Sequence, residues 1–289
     1  MSHKQNIKYL IAGSSGQLAK SFIARFERDV IPFAAPPESE FDITNPDAVA
    51  KVFSECNPDV ILNCAAYNNV DAAETTPEPA YLINSSAVEI LSETAKLHNT
   101  LLVHYGTDYV FDGTTSTPYT ETSATNPLNI YGKSKLAGEQ AALHNNNLVF
   151  RVSWVYGNGT QNFFHKMLQW SAGRSSLKVV DDQISVPTYT DDIVSATLTA
   201  ISRNLHGLYH LTNSGYAPRN EVAKLFFDTL EREIEIIPVS SDEFPSPVKR
   251  PMFSAMSNHK LAKAADIEIP SWQDAVIRYC RTLQQSNHK

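Results

Sequence analysis

Tyr131 and Lys135 stand four residues apart in Tyr131-Gly-Lys-Ser-Lys135, at the start of a segment that reads as a helix from Tyr131 to Leu143. At that spacing both side chains project from one face, so a phenol and an ammonium can act together. A free tyrosine titrates near about 10, too high to exchange protons efficiently near neutrality, and an adjacent cation lowers it by stabilising the phenolate. The same spacing also describes a solvated lysine beside a half-buried tyrosine, so the pair needs a context. A second stretch, Gly13-Ser-Ser-Gly16-Gln-Leu-Ala19, joins a strand to a helix. Small residues there let the backbone turn tightly and approach a pyrophosphate, which would sit on the helix N-terminus among free N–H groups. The spacing is GxxGxxA rather than GxGxxG, and an ordinary strand-to-helix turn would look the same locally.

A dinucleotide site of that kind uses an acidic residue after the second strand to hold a ribose hydroxyl, or a basic one to hold a 2′-phosphate. Phe33-Ala34-Ala35-Pro36-Pro37 offers neither, so the local residues do not separate NADH from NADPH. Asp42 has two readings, a place near the adenine or a cap on the helix that follows. Thr107 ends a fourth strand in Val103-His-Tyr-Gly-Thr-Asp-Tyr-Val-Phe-Asp-Gly113, at the carboxyl edge where a parallel sheet presents ligand-facing residues.

The elements that must position these groups follow a βαβ rhythm. Apolar runs recur at Ile7 to Ala12, Val30 to Ala34, Val60 to Leu62, Leu101 to Val103 and Leu148 to Val152. Unbroken runs suit strands covered on both faces, which predicts an α/β fold with a doubly wound, Rossmann-type parallel sheet. Helices are expected over Gln17 to Arg28, Asp47 to Glu55 (opened by Asn45-Pro46), Ala80 to Leu97 and Tyr131 to Leu143. After Tyr156 the pattern loosens. Asn162 to Trp170 and Asp191 to Ile201 read as helical, Leu177 to Val180 and Gly207 to Leu211 as extended, and prolines then cluster at 238, 245, 247 and 251. Residues 1–156 are therefore expected to form the dinucleotide-binding part. Residues 157–289 would supply the remaining sheet strands and a small C-terminal substrate lobe, intertwined with the first part.

Composition narrows the partners. The 289 residues suit one or two domains at roughly 150 residues each. With 42% hydrophobic and 19% charged residues the chain can bury a large core and is not of the disordered class. A net charge of −7 without a basic stripe argues against nucleic acid. Cys56, Cys64 and Cys280 are odd in number and form no CxxC pair, which fits a reducing compartment and neither a disulfide framework nor a zinc site. Met1 to Asn6 is polar and the apolar run after it is too short for a leader or a membrane span, so a cytoplasmic protein is expected.

Taken together, Gly13/Gly16, Asn63-Cys-Ala-Ala-Tyr67, Thr107-Asp108-Tyr109 and Tyr131xxxLys135 resemble the extended short-chain dehydrogenases/reductases. The finer resemblance is to the dTDP-4-dehydrorhamnose reductase family. That family's GxxGQLG-like loop, NAAAYTxVDxAE, TDYVFDG, PLNxYGKSKLAGE, RxSWVYG, NF, DQxGxPT and RPxxSxL strings recur here. They fall at Gly13 to Ala19, Asn63 to Glu74, Thr107 to Gly113, Pro127 to Glu139, Arg151 to Gly157, Asn162-Phe163, Asp182 to Thr188 and Arg250 to Met256, so the likeness covers about residues 7 to 280.

The resemblance implies reduction of a nucleotide-linked 4-keto-6-deoxy sugar, dTDP-4-dehydrorhamnose to dTDP-L-rhamnose. NADPH is slightly preferred to NADH as the cofactor. Tyr131 would donate the proton, Lys135 would lower its pKa and hold the nicotinamide ribose, and Thr107 would hydrogen-bond the substrate carbonyl. Gly13, Gly16, Gln17, Leu18, Asp42, Ile43, Ala65, Ala66, Tyr67 and Tyr105 would line the dinucleotide. Asp108 and Trp154 would face the sugar, and Arg250 would meet the nucleotide's phosphates. A sugar-nucleotide substrate, no nucleic acid, no membrane, and a monomer or homodimer complete the expectation.

Four departures from the family strings bear on this: Ala19 for the third glycine, Asn68 for Thr, Ala72 for Lys, and Ser185 where a glycine could take a positive φ. Some members use a glutamate in a magnesium site where Ser21 stands here, so no bound metal is expected. A 4,6-dehydratase would need a glutamate where Tyr109 stands, and a 4-epimerase usually carries a longer C-terminal domain. A non-catalytic dinucleotide-sensing subunit, like the regulatory subunit of methionine adenosyltransferase, resembles the same family; intact Thr107, Tyr131 and Lys135 argue against it.

Overall fold

The computed structural model describes residues 7–159 and 162–286; the polar run Met1 to Asn6, on which the leader argument drew, lies outside the described residues. The first half runs β1 (Tyr9–Ala12), α1 (Gln17–Asp29), β2 (Phe33–Ala34), α2 (Pro46–Cys56), β3 (Val60–Asn63), α3 (Val70–Thr75) and α4 (Pro77–Tyr81). A π-helical turn (Leu82–Ser86) leads into α5 (Ala87–Leu97), followed by β4 (Leu101–Thr107), α6 (Ile130–His144) and β5 (Leu148–Val152). The second half runs β6 (Val155–Tyr156), α7 (Phe163–Ser171), β7 (Ser176–Val180), β8 (Ile184–Ser185), β9 (Thr188–Tyr189), α8 (Thr190–Ser202) and β10 (Gly207–His210). It ends with β11 (Ala217–Pro218), α9 (Arg219–Thr229), β12 (Glu235–Val239), α10 (His259–Ala265) and α11 (Trp272–Ser286).

Six strands form one sheet in the order β10-β5-β4-β3-β1-β2, every pairing parallel. Ile11, Leu62, Val103 and Phe150 face a core shared with Phe22 and Phe26 of α1 and Ile193 of α8. The alternate residues Leu10, Ile61, Leu102 and Val149 face Phe53 of α2 and Val88 and Leu91 of α5. Both faces are covered, which is why the strands carry no polar alternation and why the doubly wound expectation holds. No helix among the described residues is long and apolar enough to cross a membrane.

Three expectations shift. The run Val30 to Ala34 is strand only at Phe33–Ala34, because α1 continues to Asp29 and ends on Val30 in the left-handed region, φ 54°. The helix expected over Ala80 to Leu97 starts at Pro77, as proline suits a first helical position, and widens into the π turn. Of the strands after β5 only β10 joins the six-stranded sheet; β6, β8, β9 and β11 are two residues long and pair outside it, and β12 pairs with β7. Those pieces surround a separate core of Tyr156, Phe164, Val222, Phe226 and Tyr279.

Candidate active site

The chain leaves β1 for β2 on one side and reaches β3 on the other, so the strand order reverses there and opens a crevice at the carboxyl ends. A cleft of about 940 Å³ occupies it. The β1–α1 loop, the end of β3, the end of β4, the first turns of α6 and the segment after β5 all contribute walls.

Gly13 has φ +72°, and a Cβ placed on it would lie 2.6 Å from the backbone nitrogen of Ala65. The loops after β1 and β3 therefore touch through a position only glycine fits. Gly16 caps α1 with extended backbone and offers no side-chain acceptor, leaving the first N–H groups of a 13-residue helix free for an anion. Gln17, Leu18, Ala65 and Ala66 line the cleft beside this turn, a cradle that fits a pyrophosphate. Gln17 is fixed by donating its Nε2 to the Val155 carbonyl at 3.0 Å.

Asn129 caps α6 by accepting from the Gly132 N–H at 2.8 Å, which starts the helix so that Tyr131 and Lys135 both reach the cleft. The helix is held close. A Cβ on Gly132 would lie 2.3 Å from the Tyr109 carbonyl oxygen, and one on Gly138 would lie 1.9 Å from that of Asn84. Lys135 is buried, and its Nζ donates to the Tyr105 carbonyl at 2.6 Å. Burial draws this ammonium down to about 8, with Glu139 opposing. Burial pushes the Tyr131 phenol above its ordinary value; Thr107 opposes through a hydrogen bond, while Asp108 and Tyr109 raise it further. The Lys135 ammonium, expected to lower this phenol, donates to the Tyr105 carbonyl. Thr107 is buried at the end of β4 and lines the same cleft. Tyr109 meets the Tyr131 ring edge-on, with centroids 5.8 Å apart.

Asp108 reaches the cleft, but its carboxylate is engaged internally. Oδ2 accepts from Ser153 at 2.9 Å and Ser254 at 2.5 Å, and Oδ1 accepts from Thr107 at 3.3 Å. Burial raises its pKa, and these hydroxyls pull it back. Trp154 lies on the cleft wall in the left-handed region at φ 42°, a conformation costing about 1–3 kcal/mol for a bulky residue. Phe163 packs edge-on to its ring at 5.0 Å, and the Arg219 guanidinium covers it at 4.9 Å. Arg250 reaches the cleft from the C-terminal part and is paired with Asp71 at 2.7 Å, while its Nη1 donates to Ser246 at 2.7 Å.

Of the other expected residues, Tyr105 lines the cleft and Asp42, Ile43 and Tyr67 do not. Asp42 is exposed and its Oδ1 accepts from the N–H and hydroxyl of Thr44; Asn45, not Asp42, caps α2. Ile43 is core beside Phe53. Tyr67 exchanges two backbone hydrogen bonds with the Asn84 side chain, and Tyr105 lends the cleft its backbone while its hydroxyl meets Thr197 in the core. Among the departures, Asn68 and Ser185 line the cleft and Ala72 does not. Ser185 sits in β8 without a positive φ, so no glycine is required there.

Two polar groups escaped the sequence reading. Asn84, in the π turn, joins Tyr67 to the Ser134 hydroxyl on α6. Buried His104 is kept neutral by burial and by Lys135; its Nδ1 accepts from Asn63 at 3.2 Å, and Asn63 in turn accepts from the Ala65 N–H at 3.2 Å. A polar residue inside an apolar helix pattern was the available signal for Asn84. His104 carried none.

A family model described as the RmlD substrate binding domain matches residues 7–285. The dTDP-4-dehydrorhamnose reductase of Salmonella typhimurium is 39% identical over 252 residues, covering 82% of this chain and 84% of that one. A solved dTDP-4-dehydrorhamnose reductase from Clostridium acetobutylicum superposes with a TM-score of 0.91 at 33% identity, over 96% of this chain and 100% of that one. One from Bacillus anthracis, in complex with NADP, does so with 0.91 at 33% identity, over 96% and 99%.

Proposed function

The chain belongs to the dTDP-4-dehydrorhamnose reductase family, and from that premise we propose that it reduces dTDP-4-dehydrorhamnose to dTDP-L-rhamnose with a nicotinamide dinucleotide. The observation that carries the reading is the meeting of Thr107, Tyr131 and Lys135 in one cleft, opposite the Gly13–Gly16 turn. When bound, the dinucleotide supplies the hydride.

The residues of the chain then divide the remaining work. The free N–H groups of α1 would hold the pyrophosphate, and Gly13 lets the loop after β3 pack against this turn. Lys135 holds the nicotinamide ribose. Thr107 and Tyr131 donate to the sugar O4 as it gains negative charge, and Tyr131 passes its proton there. A phenol raised by burial stays protonated until that charge appears, which suits a general acid. Lys135, a cation on the same helical face as Tyr131, stabilises the phenolate as it forms.

NADPH is the preferred cofactor with NADH accepted; the NADP held by the Bacillus anthracis relative supports this, although the end of β2 offers no cation. Residues 1–156 form the dinucleotide part and 157–289 the intertwined substrate part. The protein works in the cytoplasm as a monomer or homodimer. NAD(P)H oxidation with dTDP-4-dehydrorhamnose, with both cofactors run in parallel, tests the reading. Tight cofactor binding without turnover would instead favour a sensing subunit.

A further inference from the structure

We propose that Arg219 is a second cation for the diphosphate of the sugar nucleotide, acting with Arg250 in the same cleft. The inference rests on reading the cleft as a sugar-nucleotide site. Arg219 opens α9, is half-buried and lines the cleft. Its plane is fixed twice, by the Trp154 ring at 4.9 Å and by Nε donating to the Gln183 amide oxygen at 3.2 Å.

Neither contact neutralises the charge. Arg250 has Asp71 and Arg278 has Asp192 and Asp274, but Arg219 has no carboxylate within ion-pair distance among the described residues. Its two terminal nitrogens have no hydrogen-bond acceptor among the described residues and keep the parallel-donor geometry that suits a phosphate. Arg219, Arg250 and Tyr109 all line the same cleft, so the two guanidiniums face one space. A half-buried, pre-oriented and uncompensated guanidinium favours an anion from solution. The neighbours of Arg219 are Trp154, Gln183 and Tyr109, which points to the substrate's diphosphate. The cofactor's pyrophosphate already has the α1 terminus.

The test measures binding of dTDP, thymidine and NADPH to the intact protein and to Arg219→Met and Arg219→Lys, by calorimetry or, for thymidine, ligand-observed NMR. Methionine keeps an apolar stem against Trp154 and removes the charge; lysine keeps the charge. Arg219→Met is expected to weaken dTDP by about ten- to a hundred-fold, the range for a charge-assisted hydrogen bond. Arg219→Lys should recover part of that, and thymidine and NADPH should be unchanged. Undiminished dTDP binding by Arg219→Met overturns the assignment. So does an equal loss for thymidine, which would make the role one of packing, or a loss confined to NADPH. If the parent protein itself binds dTDP no better than thymidine, the sugar-nucleotide reading falls first and takes this inference with it.

Discussion

Lys135 Nζ lies 2.6 Å from the Tyr105 carbonyl oxygen and donates to it, although Tyr131 shares its helical face. The lysine is thereby tied to β4, the strand that also ends in Thr107. Tyr131, Lys135 and Thr107 are thus referenced to one strand and one helix. Tyr131→Phe keeps that frame and removes the proton. Turnover should fall by about a hundred- to ten-thousand-fold, the usual worth of a positioned acid, while NADPH titration stays near the parent value. Near-normal turnover would sink the assignment.

Burying the Lys135 ammonium has a pH signature. Its folded pKa of about 8 lies below its ordinary 10.5, so between those values the unfolded chain holds a proton that the folded one has released. Stability then rises with pH through that window; the burial cost is fully present below pH 8 and gone above 10.5. Relative to Lys135→Met, the parent should gain up to about 3 kcal/mol between pH 7.5 and 10.5 in denaturant unfolding. A flat difference across that range would show that the ammonium is not penalised.

The Asp71–Arg250 pair joins residues 179 apart across the cleft. Asp71 is largely exposed, so the pair is worth no more than about 1 kcal/mol. If Arg250 meets the phosphates, Asp71 competes with them. Asp71→Asn should then tighten dTDP by about two- to five-fold at low salt, with the gain fading as salt rises. Unchanged or weaker binding would remove Asp71 as a competitor.

Ser21, where some relatives place a metal-binding glutamate, is buried and donates to the Thr190 hydroxyl at 2.8 Å. Activity should therefore survive an excess of chelator, measured as initial rate with and without EDTA. Loss that magnesium restores would contradict this.

The six-stranded sheet was legible because strands covered on both faces leave unbroken apolar runs such as Val60 to Leu62. The C-terminal part was not, because two-residue strands such as Ile184–Ser185 are too short to show any period. Within the site, Tyr131 and Lys135 were legible as a local spacing on one helix. The engagement of Asp108 by Ser153 and Ser254, the pairing of Arg250 with Asp71 and the stacking of Arg219 on Trp154 were not. Each joins residues far apart in the chain, and no local pattern encodes such contacts.

The contacts at Gly132 and Gly138 leave α6 with no clearance on two sides, against Tyr109 and against Asn84. A new methyl at either point would move the helix, and with it Tyr131 and Lys135 in the cleft. Substitution is thereby less tolerated on this helix than at Asn68, Ser185 and Arg219, which border the cleft from other segments. A lineage altering the sugar it accepts would inherit α6 as a fixed part and rewrite the opposite wall.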